Sequence, residues 1–192
     1  MAQGPTDTEA ALLRQFRAGA PDAARRLYDR YVRYLTAIAT RYTGNADDTA
    51  DVLQEAFIKI FAALPDFSFR GEGSLKAWVA RVVLNEALRF LGQKHRLAIA
   101  DDDVERLQLP DDNNACTTDD LPADVVYDMI RTLPDGYRTI FNLYVVEEKS
   151  HREIATMLGI KENTSASQLH KAKAMLAERI RAYRTRHDLY TI

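Results

Sequence analysis

Arg81, Asn85 and Arg89 recur every four residues and are the first side chains whose types and spacing suggest a chemical role. In a helix this spacing places them in one stripe. Two guanidinium groups can neutralise phosphates, and an amide between them can hydrogen-bond the edge of a base. Surface arginines are also common on solvated helix faces. The stripe therefore allows nucleic-acid binding without requiring it.

Aromatic side chains come shortly before this stripe. Phe67 and Phe69 lie in a loop with two glycines, residues 66–73, and Trp78 follows in the next predicted helix. Exposed rings can stack on unpaired bases. A lone tryptophan on an apolar helix stripe more often packs in a core. The sequence leaves both interpretations open.

A second polar group lies near the carboxyl end, where Gly159 separates two short predicted helices, the first of which opens with a Ser150–Glu153 capping box. Such a pair is typical of a helix-turn-helix, although ordinary helical hairpins share the pattern. The second helix is expected to open near Asn163. Its first turns carry hydroxyls, amides and cations, which can bind phosphate at the helix N-terminus and base edges in the major groove. These side chains, expected on faces that the core does not need, are Thr164, Ser165, Ser167, Gln168, His170 and Lys171.

Asp51, Gln54 and Glu55 form a third polar group on one face of a predicted helix. This face is suited to docking on a basic partner. Acidic residues near a helix N-terminus also stabilise the helix electrostatically, and the spacing does not separate the two roles. No glycine-rich phosphate loop, paired cysteine or HExxH motif is present, and the four histidines are scattered. The sequence therefore predicts no catalytic residue, metal or cofactor.

The apolar pattern that must position these groups is helical, with residues recurring at intervals of three and four. Before residue 98 it predicts four helices, with Ala24 on the inner stripe of the second. Their predicted limits are a Thr6–Glu9 capping box to Gly19, Pro21 to Gly44, an Asn45 cap to Pro65, and a Ser74 cap to Gly92 or slightly beyond. After residue 121 the helix-turn-helix follows two short helices, the second formed around Tyr137, Ile140, Phe141, Tyr144 and Val145. No strand pattern competes, so the fold class is all-α.

Charge divides the chain into three parts. Residues 99–120 contain one cation, Arg106, against eight acidic residues, although the whole chain has a net charge of only -2. This acidic segment lacks aromatic side chains and cannot bury enough apolar surface to fold alone. The sequence thus predicts two small helical domains, 1–97 and 122–192, joined by a flexible acidic linker, 98–121. The single cysteine, Cys116, and the lack of a long apolar run predict a cytoplasmic protein.

Taken together, these motifs resemble the extracytoplasmic-function (ECF) group of the sigma-70 factors. In the first domain the resemblance is carried by Asp51-x-x-Gln54-Glu55-x-Phe57, by the run from Phe69 to Trp78, and by Arg81 with Asn85. In the second domain it is carried by Leu133-Pro134-x-x-Tyr137-Arg138, Glu153-Ile154-Ala155, Leu158-Gly159-Ile160 and the run from Thr164 to Ala172.

The resemblance implies an alternative sigma factor for a stress or extracytoplasmic response, which binds core RNA polymerase and directs initiation at specific promoters. It implies that contacts to the β′ clamp helices of the polymerase come from Asp51, Gln54, Glu55 and Phe57, with further contacts to the β subunit. It implies that the melted minus-10 strand is bound by Phe69, Arg70, Ser74, Lys76, Trp78, Arg81, Asn85 and Arg89. It implies that the minus-35 duplex is bound by Asn163, Thr164, Ser165, Ser167, Gln168, His170 and Lys171. An anti-sigma factor is a further expected partner.

One departure from the resemblance concerns the second helix of the helix-turn-helix. Where many members carry Val-Lys-Ser-Arg, this chain has Ser165-Ala166-Ser167-Gln168, so two cations are missing. We expect a shallower salt dependence of minus-35 binding as a result. Two rival interpretations remain at this stage: a one-component helix-turn-helix regulator that binds operator duplex without polymerase, and an adaptor that contacts only proteins.

Overall fold

The computed structural model describes residues 8–95 and 121–188, without the side chains at 94, 95, 187 and 188. The chain forms two compact units, Met1–Gln93 and Lys94–Ile192. All regular elements within the described ranges are helical, which confirms the predicted all-α fold of two small helical domains. Thr6, Cys116 and the acidic segment predicted as a linker lie outside the described residues. The predicted domain limits stay predictions.

The described residues of the amino-terminal unit, 8–93, contain four α-helices and one short 3-10 turn. These elements are α1 (Glu9–Arg17), α2 (Ala23–Thr43), α3 (Ala46–Ala63), the 3-10 turn Leu64–Asp66, and α4 (Ser74–His95).

Local signals fix the α2 to α3 corner as predicted. Gly44 ends α2 in the left-handed conformation, with φ 78°, which glycine adopts without steric cost. Asn45 caps α3, because its side-chain oxygen accepts a hydrogen bond from the Asp48 N–H at 2.8 Å. The prediction for Ala24 is wrong: Ala23 is buried on α2 and Ala24 is exposed. Ala24 lies outside the buried stripe of α2, which runs through Ala23, Leu27, Tyr31, Leu35 and Ile38 at intervals of three and four residues.

Fully buried apolar side chains from α2, α3 and α4 form the core of this unit. Complete burial of each large side chain stabilises the fold by roughly 1.5–3 kcal/mol relative to exposure. The largest of them are Leu27, Leu35, Tyr42, Ile60, Leu64, Leu75 and Val79.

Residues 121–188, the described part of the carboxyl-terminal unit beyond α4, contain four further α-helices and a π-helical turn. These elements are α5 (Ala123–Arg131), α6 (Asp135–Phe141), the π-helical turn Asn142–Val146, α7 (His151–Leu158) and α8 (Glu162–Asp188). Leu133, Ile140, Leu143, Ile154 and Ala172 are buried at its centre. Among the described residues, no helix is long and apolar enough to cross a membrane.

Two predicted signals build the helix-turn-helix formed by α7 and α8. The Ser150 hydroxyl accepts a hydrogen bond from the Glu153 N–H at 3.3 Å, and the Glu153 carboxylate accepts one from the Ser150 N–H at 2.9 Å. The hydrogen bonds that the Ser150 N–H and the Ser150 hydroxyl donate to the Glu153 carboxylate hold the pKa of Glu153 below its usual range. Gly159 then turns the chain with φ 69°. The predicted capping box and glycine turn are therefore confirmed.

Candidate nucleic-acid and polymerase interfaces

The loop before α4 is fixed by an exchange of carboxylates between distant parts of the chain. Glu9 is buried, and its side chain accepts hydrogen bonds from the N–H groups of Leu75 and Lys76, both at 3.0 Å. Glu72 in the loop accepts a hydrogen bond from the Glu9 N–H at 3.1 Å. Glu9 therefore caps the start of α4, and Glu72 caps the start of α1. Together the two contacts hold the loop against both helices.

Ser74 closes the loop rather than capping α4 as the sequence predicted. Its hydroxyl accepts a hydrogen bond from the Arg70 N–H at 3.2 Å and donates one to the Gly71 carbonyl at 2.6 Å. The cap of α4 is Glu9, because its buried carboxylate satisfies the first free N–H groups of the helix. Gly71 and Gly73 have φ of 116° and 87°, a backbone that side-chain-bearing residues rarely adopt.

The aromatic residues of this region form a small platform at the base of the loop. The rings of Phe67 and Trp78 are 5.0 Å apart, and both side chains are half-buried. Phe69 is also half-buried, while Arg70 is exposed at the tip. The Arg17 side chain fixes the entry to the loop by donating hydrogen bonds to the carbonyls of Pro65, at 3.1 Å, and Phe67. Trp78 therefore packs against Phe67 while remaining partly exposed, and its stacking on bases stays a prediction.

The predicted stripe on α4 is exposed, with Arg81, Asn85 and Arg89 on the surface. Arg89 also binds the buried carboxylate of Glu86, with its Nε at 2.8 Å, and Lys59 of α3 binds the same carboxylate. Burial alone would raise the pKa of Glu86, but the hydrogen bonds from Arg89 and Lys59 outweigh it and hold that pKa below its usual range. One end of the stripe is thereby tied to α3.

Lys76, another predicted minus-10 residue, is exposed at the first turn of α4. Its ammonium group lies 4.6 Å from the centre of the Tyr34 ring on α2. This cation–π contact orients the lysine towards the amino-terminal half of α2.

The α3 face predicted to bind polymerase is mostly exposed. Asp51, Gln54 and Glu55 lie on the surface, whereas Phe57 is buried against Tyr28, with ring centres 4.7 Å apart. Phe57 therefore fixes α3 in the unit rather than presenting its ring to a partner. Sequence reasoning missed Ile58, whose side chain is 56% exposed next to Glu55 and Gln54. An isoleucine outside the apolar stripe of α3 was the signal available for it.

The first turns of α8 present most of the predicted minus-35 residues. Exposed side chains there are Asn163, Ser167 and His170, and half-buried ones are Thr164, Gln168 and Lys171. The prediction that Ser165 lies on a face not needed for the core is wrong. Ser165 is fully buried, and its hydroxyl lies 2.9 Å from Nδ1 of His151 on α7.

Gln168 does not point freely outward, because its Oε1 lies against α6. A methyl group added at Gly136 would be 3.5 Å from this oxygen, which is an ordinary contact distance. Because Gly136 has no side chain, the Gln168 side-chain amide has room beside the first turn of α6.

The π-helical turn Asn142–Val146 exposes three apolar residues, two of which were predicted to belong to a helix. Tyr144, Val145 and Val146 are 38%, 48% and 44% exposed. The prediction that Tyr144 and Val145 continue the inward stripe of α6 is wrong, because the π-helical turn changes the residues per turn and rotates both outward. The Tyr144 ring instead stacks on His151, with ring centres 4.8 Å apart, and Lys173 lies over its other side at 5.7 Å.

Two family models match the chain and together cover more than half of it. A model described as sigma-70 region 2 matches residues 27–97, and one described as sigma-70, region 4 matches residues 123–176. The first contains the loop and α4 stripe, and the second contains the helix-turn-helix. A one-component regulator is not favoured, because the amino-terminal unit of this chain matches sigma-70 region 2.

Curated relatives agree with the family models. The ECF RNA polymerase sigma-E factor of Haemophilus influenzae is 28% identical over 184 residues, covering 90% of this chain and 95% of the relative. The Escherichia coli K12 protein of the same name is 26% identical and covers 90% and 94%. A structure of CnrH in complex with the cytosolic domain of CnrY is 21% identical, with TM-score 0.47, and covers 92% of this chain and 99% of that one. The chain belongs to the ECF group of the sigma-70 family and is an alternative sigma factor.

Proposed function

We propose that the amino-terminal unit of this sigma factor binds the minus-10 element as a single strand, through the loop before α4 and the exposed α4 stripe. The observation that carries this proposal is the carboxylate exchange between Glu9 and Glu72, which fixes the loop without using the side chains of Phe69, Arg70 or Trp78. A preorganised loop loses little conformational freedom on binding, so little of the binding free energy is offset by ordering the loop. Phe69, Arg70 and Trp78 would contact an unstacked base there.

Along α4, Arg81 and Asn85 have separate roles in this proposal. The guanidinium group neutralises a phosphate, and the amide hydrogen-bonds a base edge. Arg89 is bound to Glu86 and can offer only part of its guanidinium group, so we propose that it adds a long-range charge rather than a bidentate phosphate contact.

The α3 face docks on core RNA polymerase in this proposal. Asp51, Gln54 and Glu55 supply an acidic rim, and Ile58 supplies an apolar centre. An apolar side chain surrounded by charges is typical of protein interfaces, because the apolar core gives affinity and the rim gives orientation. We propose the β′ clamp helices as the surface that it meets.

The carboxyl-terminal unit binds the duplex minus-35 element through α8. Asn163, Ser167 and His170 are exposed at its first turns, where the helix dipole also favours phosphate. Ser165 contributes to this site only by holding His151 and α7 against α8.

Three further features belong to the proposal. The protein acts in the cytoplasm, where core polymerase and promoter DNA are present, and it carries out no catalysis of its own. An anti-sigma factor covers the polymerase-binding surfaces when the protein is held inactive. The exposed apolar residues Ile58, Tyr144, Val145 and Val146 support this partner, because it would bury them in the absence of polymerase.

Transcription with purified components tests the function directly. The chain is added to core RNA polymerase and a supercoiled promoter library, and specific transcripts are sequenced. We expect transcripts from a shared promoter class that are absent when core polymerase is used alone. Binding of palindromic duplex by the free chain, with no polymerase complex and no new transcript, would contradict the proposal.

A further inference from the structure

An open groove of about 560 Å³ lies in the amino-terminal unit, beside the first turn of α4. Its walls come from three helices: Glu9 of α1, a run of residues on α2, and Lys76 of α4. The volume is within the range of sites that hold small ligands. None of the roles assigned above uses this groove, although Lys76 lies at its edge.

The groove carries an excess of accessible positive charge. Arg26, Arg30 and Lys76 line it, against the carboxylates of Glu9 and Asp29. The Glu9 carboxylate is buried and already accepts hydrogen bonds from two α4 amides and from the Tyr31 hydroxyl. Asp29 is paired with Arg25 at 3.7 Å on the exposed side of α2. Three cations against two carboxylates give the lining a net charge of +1, which favours an anion in the groove.

An aromatic ring stands among these cations. The side chain of Tyr34 is 38% exposed, and Lys76 lies over one part of its ring. Arg26 and Arg30 precede it on the same face of α2 at intervals of four residues. The Arg26 guanidinium is held by Gln15 of α1 at 2.6 Å, and that of Arg30 lies 5.7 Å from the Tyr31 ring. Contacts of this kind orient both arginines along the groove.

A line of cations next to an exposed ring is the combination that binds single-stranded nucleic acid, since phosphates pair with the cations and a base stacks on the ring. We infer that this groove binds one or two further nucleotides of the single strand that leaves the minus-10 site. The groove begins at Lys76, two residues after Ser74, whose hydroxyl closes the loop before α4. The groove therefore adjoins this loop, whereas the α4 stripe lies on another face, because five residues of helix place Arg81 about 140° around the axis from Lys76. This inference rests on the proposed minus-10 role of α4.

A length series of oligonucleotides bound to the reconstituted holoenzyme tests the groove. Fluorescent fork DNA carries a non-template strand that ends with the minus-10 element, or that extends five nucleotides beyond it at one end or the other. Dissociation constants are measured by anisotropy over a range of salt concentrations. We expect wild-type holoenzyme to gain affinity from the extension at one end only.

Two groove variants and one matched control test whether this gain in affinity comes from the groove. Tyr34→Ala removes the stacking ring, and we expect it to lower affinity for the extended strand about tenfold while leaving the short strand unaffected. Arg30→Gln should reduce the salt slope for the extended strand by about 0.7, the value for one phosphate contact on a single strand. Arg33→Gln removes an exposed α2 cation outside the groove and should change neither quantity.

The possible outcomes separate this inference from the proposed function. If wild-type holoenzyme binds the short minus-10 strand but Tyr34→Ala and Arg33→Gln bind the extended strand equally well, the groove inference is wrong and the minus-10 proposal stands. If the short strand is not bound at all, the minus-10 proposal fails as well. Adenosine monophosphate is added as a competitor to test whether the groove binds a free nucleotide instead of the promoter strand. Binding of the free nucleotide at the groove, with no dependence on strand length, would overturn the assignment to promoter DNA.

Discussion

Glu9 shows how one side chain can position a distant site. Its carboxylate lies in the buried first turn of α1 and binds the amides that begin α4 and the hydroxyl of Tyr31 on α2. Three helices therefore depend on one charged group. Burial of the Tyr31 phenol and its hydrogen bond to Glu9 raise the pKa of Tyr31, so the phenol stays protonated and remains a donor.

We predict that Glu9→Gln destabilises the protein by about 1–3 kcal/mol, because an amide has one acceptor oxygen where the carboxylate has two and leaves a buried donor without a partner. Urea unfolding followed by circular dichroism measures the loss. Glu55→Gln, which removes one exposed carboxylate from the same unit, is the control and should stay within about 0.5 kcal/mol of wild type. Equal stability of the two variants would show that Glu9 is not a structural cap.

A second prediction concerns Glu86 and pH. Its pKa is lower when folded than its ordinary value of 4.5, so the folded state binds this proton more weakly than the unfolded state does. The stabilisation is therefore fully present above the ordinary value and is lost as pH falls through the folded pKa. We expect the unfolding free energy of wild type to fall between about pH 5 and pH 3. Glu86→Gln should show a flatter profile in the same urea titrations, and parallel profiles would contradict the assignment.

At the residue scale, the sequence predicted local contacts better than distant ones. The Asn45 cap and the Ser150–Glu153 box were readable because each joins residues three positions apart. The Glu9 cap joins residues 66 and 67 positions apart, so no local spacing reveals it. The burial of Ser165 was missed for a similar reason, since a small hydroxyl is accommodated inside only because His151 of another helix binds it.

At the scale of elements, turns decide where the exposed residues of each helix point. The predicted helices were largely confirmed, because their apolar stripes and caps are local. The π-helical turn after α6 was not predicted, since a change of residues per turn leaves no distinct signature in a short apolar run. That turn is the reason why Tyr144 and Val145 lie on the surface.

The turn between α7 and α8 provides a third prediction. Gly159 has φ 69°, so Gly159→Ala should destabilise the carboxyl-terminal unit by about 1–2 kcal/mol through backbone strain. Gly136→Ala is the matched control, because this glycine lies in the first turns of α6 and an added methyl makes only an ordinary contact. Alanine is the better helix former there, so we expect this control to be neutral or slightly stabilising. Urea unfolding measures the change in unfolding free energy for both variants. A loss of equal size in the two variants would contradict this prediction.

The recognition helix gives a fourth prediction, based on the cations that α8 lacks. Ser167→Arg places a guanidinium at its exposed first turns, and we expect the salt slope of minus-35 duplex binding to steepen by about 0.9 for one new phosphate contact. Ala182→Arg adds the same charge at an exposed position far along α8 and should leave the slope unchanged. The slope is measured by anisotropy with holoenzyme and labelled duplex. Equal steepening in both variants would mean that net charge alone controls binding.

At the scale of the whole molecule, the distribution of charge matters more than its total. The net charge of -2 suggests little affinity for nucleic acid, but the acidic residues concentrate in residues 99–120 and on the α3 face. The two units outside that segment carry the cations of the α4 stripe, the groove and α8. The sequence predicted this division because charge is counted without knowing a contact. It did not predict the groove, which exists only where α1, α2 and α4 meet.

The central claim is that α3 binds polymerase and α4 binds the melted strand, as separate tasks of one unit. Its most direct test compares Glu55→Lys and Asn85→Ala in two assays: affinity for core RNA polymerase, and open-complex formation at saturating concentrations of each variant. Glu55→Lys should weaken core binding about tenfold, because it reverses a rim charge, and should still form open complexes once bound. Asn85→Ala should bind core normally and lower open-complex formation about tenfold through a lost base contact. Equal loss of core binding in both variants would contradict the account.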